Sequence, residues 1–110
     1  MLAGVYHASR LQVLDACRTV TGTVVQVRVE ADGDYHVNLR PDPGQDGLLN
    51  QRNLTIQKGA LVVEVIPADQ RESPPPLVSD HVAVTGVQVL DRDHGWLEIH
   101  PAWRIAPLPR

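Results

Sequence analysis

The chain has 110 residues, enough for one domain with a real core and too few for two. Thirteen acidic against ten basic residues leave a formal charge of −3, which argues against a general phosphate-backbone binder. All of those cations except Lys58 are Arg, so a local stripe for planar anions stays open.

Cys17 is the only cysteine, so no internal disulfide forms and cysteine pairing says nothing about compartment. No apolar run reaches the length of a membrane span, and the first residues lack the long apolar region of a secretory signal. A soluble chain without a membrane partner is the expectation. Compartment and oligomeric state are left open.

Residues 1–17 read as an irregular or short helical lead-in, because Leu11, Val13 and Leu14 share one side of a helix. Residues 19–30, "TVTGTVVQVRVE", alternate in two phases: Val20 and Val24 in one, Val25, Val27 and Val29 in the other. That change predicts a bulge or bend, with Gly22 as the residue that allows it. "ADGD" supplies a turn, and Asp32 and Asp34 are assigned to hairpin chemistry. The returning strand spans residues 35–40, with Tyr35, Val37 and Leu39 on one face and His36, Asn38 and Arg40 on the other.

"PDPGQDG" is a loop. "LLNQRNLTIQKG" suits either a short helix or a strand. Residues 60–66, "ALVVEVI", form a nearly continuous apolar strand interrupted by Glu64, the signature of a central position. A connector stiffened by Pro74, Pro75 and Pro76 follows. In residues 82–90, Val82 and Val84 share one phase and Val87 and Val89 the other, with Gly86 between. The last strand is residues 96–100, after which the chain trails off with Trp103 and Ile105 tucked against the body. His7 and His81 read as surface residues without partners.

Five strands, two of them long and bent at a glycine, predict an all-β fold: a small closed antiparallel five-stranded barrel. The OB-fold is the best match, without the usual helix between strands 3 and 4; an SH3-like barrel or small sandwich is the runner-up. Residues 1–110 are then a single domain. In OB topology strands 2, 3 and 5 are neighbours. If Val63, Val65, Leu97 and Ile99 face inward with Tyr35, Val37 and Leu39, then His36, Asn38, Glu64, Trp96, Glu98 and His100 converge on the outer sheet face.

The pattern "TVTGTV", "DGDYHVNL", "LVVEVIPAD" and "VLDRDHGWLEIHPAW" resembles a group of small uncharacterised bacterial proteins with OB-like barrels. The resemblance runs from Cys17 to Ile105. It implies no particular activity, but it directs attention to Cys17, Asp34, His36, Glu64, Asp93, His94, Trp96, Glu98 and His100.

Residues 91–101, "DRDHGWLEIHP", concentrate groups able to bind a metal, move protons or stack on a ring. The leading reading is a ligand-binding site able to hold a divalent metal, zinc first, with His36, His94 and His100 as metal ligands. Glu64 and Glu98 are the candidate catalytic carboxylates, and Asn38, Arg40 and Trp96 the candidate ligand-binding residues. The alternative is a small metal-dependent hydrolase. A metal-free carboxylate–imidazole pair is a further option, and a single-strand nucleic-acid or sugar-binding module ranks third. The partner is therefore a small molecule or short polymer, with nucleic acid not favoured and no other cofactor expected. Against these stands a plain structural reading. Asp91, Asp93 and Gly95 would make a turn, His94 would bond the backbone, and Trp96 would fill the mouth of the barrel.

Overall fold

The computed structural model of the protein describes residues 1–109. The chain passes through a 3-10 turn at Ala8–Arg10, then β1 (Leu11–Val29), β2 (Tyr35–Pro41), α1 (Gln51–Thr55) and β3 (Leu61–Val65). A second 3-10 turn at Pro67–Asp69 leads to β4 (His81–Asp91) and β5 (Leu97–Pro107). Among the described residues no helix is long and apolar enough to cross a membrane.

The strands form one mixed sheet in the order β1-β2-β3-β5-β4, and β4 pairs back onto β1, so the sheet closes on itself. All ladders are antiparallel except β3–β5, which is parallel through Val62↔Glu98 and Val63↔Ile99. The expectation of a wholly antiparallel sheet is corrected here, and the reason is parity. Alternating directions cannot run all the way round a closed ring of five strands, so one junction must be parallel.

Inward-facing Val20, Val24, Tyr35, Val37, Leu39, Leu61, Val63, Val65, Val82, Val84 and Ile99 make the main core. The phase change in β4 occurs where the valines place it. Val82 and Val84 join the main core, whereas Val87 and Val89 join Leu11 in a second cluster that also takes Leu2, Val5 and Trp103. Gly22 pairs with both β2 and β4, and a Cβ there would collide with the carbonyl of Arg40. Gly86 is equally closed, against the carbonyl of Pro101 and Ile99 Cγ2. The bulge of β1 against β2 falls at the phase change itself and not at Gly22: the register slips between Val24 and Gln26, leaving Val25 exposed.

Three segments differ from expectation. Leu11 to Cys17, part of the predicted lead-in, belongs to β1, because its backbone pairs with β4 and Leu11 buries against Val87 and Val89. Tertiary pairing overrides the helical spacing there. β5 continues past His100 to Pro107 instead of ending. His81 is partnered: Nε2 lies 2.7 Å from Asp42 Oδ2 and Nδ1 2.6 Å from the Pro109 carbonyl.

"LLNQRNLTIQKG" resolves as a helix because Asn50 and Asn53 make a reciprocal cap. Asn53 is fully buried. Its Oδ1 accepts from the backbone N–H of Leu97 at 2.9 Å, and its Nδ2 donates to the carbonyls of Ala60 and Leu97 at 3.0 Å. One carboxamide thus fastens α1 to the starts of β3 and β5. Ser73 does similar work on the open edge of β5. Its Oγ donates to the Trp103 carbonyl and accepts from the Ile105 N–H, which covers an otherwise unpaired edge. Asn53→Ala would strand several backbone groups in a dry site and is expected to cost at least about 2 kcal/mol. The midpoint of urea unfolding at unchanged slope measures this; a shift equivalent to less than about 0.5 kcal/mol would show that the loop is held by other contacts.

Candidate functional site

The period of two that sends Tyr35, Val37 and Leu39 into the core sends Asp34, His36 and Asn38 to the other face. On β3 the same alternation exports Val62 and Glu64, and on β5 Glu98 and His100. The register sets His36 opposite Glu64, Asn38 opposite Val62, and Val62 beside Glu98. Residues far apart in the chain thereby meet on one patch of β2, β3 and β5, as the alternation predicts.

The patch lies on the outer side of the sheet, away from the main core, but it is covered. Asp34, His36, Asn38, Glu64, Glu98 and His100 are each at most 7% exposed. The end of the β1–β2 hairpin brings Arg28, Glu30 and Asp32 over it, the turn before β5 brings Asp91, His94 and Trp96, and Arg10 closes another side. What remains is a cavity of about 220 Å³.

Two carboxylate–imidazole pairs line this cavity. In the first, His36 Nδ1 lies 2.8 Å from Glu64 Oε1, while His36 Nε2 meets Asn38 Oδ1. Asn38 Nδ2 in turn donates to Gln57 Oε1 at 3.0 Å. In the second, His100 Nδ1 lies 2.8 Å from Glu98 Oε1, and the indole N–H of Trp96 donates to Glu98 Oε2 at 2.7 Å. Asp34 Oδ2 stands 3.7 Å from His100 Nε2. At the rim, His94 Nδ1 is 2.7 Å from Asp91 Oδ2, and its ring stacks on Trp96 at 4.4 Å and 7°. Two buried side-chain atoms of the described residues have no partner, Glu64 Oε2 and His100 Nε2, and both residues line this cavity.

Burial dominates the electrostatics. It pushes Glu64 up to about 11, helped by the neighbouring Glu30 carboxyl, and it lowers His36 below the usual imidazole range. Both directions favour the uncharged forms, so this contact is a neutral hydrogen bond, not an ion pair. The Glu64 hydroxyl donates to His36 Nδ1, His36 Nε2–H donates to Asn38, and Asn38 donates to Gln57. That is one chain of a single polarity. Asp34 is raised to about 6, first by burial and then by the charge of Asp32. Asp91 goes the other way. Burial raises it, but the His94 hydrogen bond and the Arg10 charge outweigh that and hold it below the ordinary carboxylate range.

The structure gathers some of the sequence-predicted residues and separates others. Glu64, Glu98, Trp96, His36, His94 and His100 all line the cavity. The three predicted metal ligands do not, however, form one set. Ligand atoms of Glu30, His36 and Glu64 lie within 4.8 Å of one another, those of Asp91, His94 and Glu98 form a second such group, and His100 belongs to neither. These acidic and imidazole groups are positioned to hold a metal ion. Arg40 is excluded from the cavity: it is exposed and faces a separate one beside Gln57 and Lys58. Asn38, which links His36 to Gln57, lines that second cavity with Arg40 and not the first.

Asp32 does serve the hairpin, accepting from the N–H of Asp34 at 3.0 Å, and Asp91 accepts from the N–H of Asp93 in its turn. Asp34 goes further than hairpin chemistry. Period two from His36 places it on the site face, a signal available in the sequence but outweighed there by its turn context. Glu30 and Arg10 carried no comparable signal. Cys17 is exposed and lies outside the cavity.

No protein-family model matches the chain, and no curated protein is significantly similar to it.

The raised Asp34 has a thermodynamic consequence. Between the ordinary carboxyl value near 3.8 and its own value near 6, the folded protein holds a proton that the unfolded chain releases. Its stabilising effect is therefore complete below about pH 4 and lost as pH rises through 6, a span worth about 2–3 kcal/mol. Asp34→Asn removes that dependence and offers His100 Nε2 a donor. The expected result is a variant more stable than the parent at pH 7.5 and nearly equal to it at pH 4, read from thermal unfolding at both values. A pH-independent difference would refute the assignment.

Proposed function

We propose that the protein is a small OB-like barrel whose buried His/carboxylate cavity binds a divalent cation, zinc first among candidates. The strand order and the two long strands constricted at Gly22 and Gly86 support the OB assignment, while a proline-rich segment stands between β3 and β4 where that fold usually has a helix. The resemblance to the small bacterial barrel proteins belongs to the same reading. Of its pattern residues, Asp34, His36, Glu64, His94, Trp96, Glu98 and His100 all border the cavity.

One observation carries the cation reading. Glu64 Oε2 and His100 Nε2 are both buried without a hydrogen-bond partner in one cavity lined by imidazole and carboxyl groups. A buried polar atom left unpaired costs on the order of 1–3 kcal/mol. A cation supplies both the missing partner and the charge that the crowded carboxyls lack. Imidazole with carboxylate is a donor set that suits zinc.

A metal-dependent hydrolase is the second reading. The cavity leaves room beside an ion for water and a small substrate, the requirement for metal-assisted hydrolysis. The binding-module reading is weaker. One face of Trp96 is covered by His94, and Arg40 faces elsewhere.

Calorimetric titration of the chelator-treated chain with zinc, manganese and magnesium tests the proposal. Saturation near one zinc per chain is expected, with Glu64→Gln weakening it at least tenfold. Absence of binding to all three ions in the parent protein would sink it.

A further inference from the structure

The cavity contains three histidines, and their hydrogen bonds divide them by what each has left to offer. His36 has neither nitrogen free: Nδ1 is taken by Glu64 and Nε2 by Asn38, both deep in the fold. His94 is largely exposed, with Nδ1 held by Asp91 and its ring laid on Trp96. His100 differs from both. It is 2% exposed, its Nδ1 is engaged, and its Nε2 is buried with no hydrogen-bond partner.

What engages Nδ1 decides what Nε2 is. The indole of Trp96 is only a donor, so Glu98 Oε2 must accept from it. The other oxygen of that carboxyl engages His100 Nδ1 at 2.8 Å, so Nε2 is the one ring nitrogen left to meet an ion, which it does through its lone pair when Nδ1 carries the proton. A carboxylate that holds one imidazole nitrogen while the other is left for an ion is the recurring arrangement around metal-bound histidines.

The nearest anionic atom is Asp34 Oδ2, 3.7 Å from Nε2. That is beyond hydrogen-bond range. It is also close to the separation of two donors on one ion: bonds of about 2.0–2.1 Å at a tetrahedral angle set them about 3.3 Å apart. A closure of a few tenths of an ångström would complete the geometry. No comparable pair exists in the cavity beside Arg40 and Lys58, which none of the partnerless buried atoms borders.

We propose that the cation is anchored by His100 Nε2 and Asp34 Oδ2. Trp96 and Glu98 are the positioning residues that hold the imidazole, and His36 positions Glu64 without binding the ion. This assignment rests on the cation reading of the cavity and specifies its ligands. It differs from the grouping by proximity alone, which would take His36 with Glu30 and Glu64.

The test is zinc titration of the chelator-treated full chain and its variants, each checked by circular dichroism. His100→Ala and Asp34→Asn are expected to lose at least 100-fold in zinc affinity, and His36→Gln less than tenfold. Glu98→Gln is expected to lose 10- to 100-fold through the freed imidazole, an effect on affinity that a purely structural role would not produce in a folded variant. Should His100→Ala fail to fold, the ¹⁵N resonances of the parent's imidazoles decide the matter. Zinc must move His100 Nε2 and leave His36 Nε2 in place. Loss of binding in His36→Gln with His100→Ala unchanged, or a zinc-shifted His36 Nε2, would overturn the ligand assignment while leaving the cation site standing. A parent protein that binds no zinc would remove both.

Discussion

The constraint on which this structure turns is the burial of a polar sheet face. Asp34, His36, Asn38, Glu64, Glu98 and His100 have been taken out of water on the side of β2, β3 and β5 that faces away from the main core. Each would forfeit several kcal/mol if it were charged and alone there. They endure because imidazole and carboxyl satisfy one another, and because Glu64 and His36 meet in uncharged forms. Packing such a face with apolar residues of equal volume would commonly be neutral or stabilising. The polar choice is therefore not explained by stability, and the two atoms left without partners make that plainer. On this face the alternation of the strands and the demand for an apolar interior pull in different directions.

Topology is what assembles the face. The parallel β3–β5 junction, required by closing five strands into a ring, places Glu98 beside Val62 and so carries the β5 carboxylate–imidazole pair next to the β2–β3 pair. Close approach at Gly22 and Gly86 lets β1 and β4 serve both ends of the ring. In β4 the slip beside Gly86 also turns Val87 and Val89 outward into the second cluster with Leu11 and Trp103. That cluster fixes the start of β1, and with it Arg10, whose guanidinium reaches Asp91 at 3.4 Å. The cavity wall and the second core are thus parts of one construction.

Much of this was legible in the chain because a strand has a period of two. Alternation alone separated Tyr35, Val37 and Leu39 from His36 and Asn38, and Leu97 and Ile99 from Glu98 and His100. The opposed phases of Val84 and Val87 located the bend. What alternation cannot report is what lies over a face, since the cover comes from the hairpin end, the turn before β5 and Arg10. Alternation therefore places the site on the outer side of the sheet and is silent on the segments that cover it. Asn38 and Arg40 share the phase of His36 but sit further along a twisted strand, far enough to line another cavity. Asp34 was hidden by its turn, and residues 11–17 by an apolar spacing that fits a helix as well as it fits an edge paired to β4.

The protons in the cavity carry the argument one step further. Glu64 and Asp34 both sit above the ordinary carboxyl range because burial and neighbouring acids resist another negative charge. A proton is the smallest cation that relieves this, and in the protein alone it does so. In the proposed site a divalent ion would relieve it more completely, since it would also meet His100 Nε2. Ion entry then expels the protons it replaces, so occupancy and acidity oppose one another. The same crowding that would be a defect in an inert β domain becomes, in a cation site, the source of its affinity.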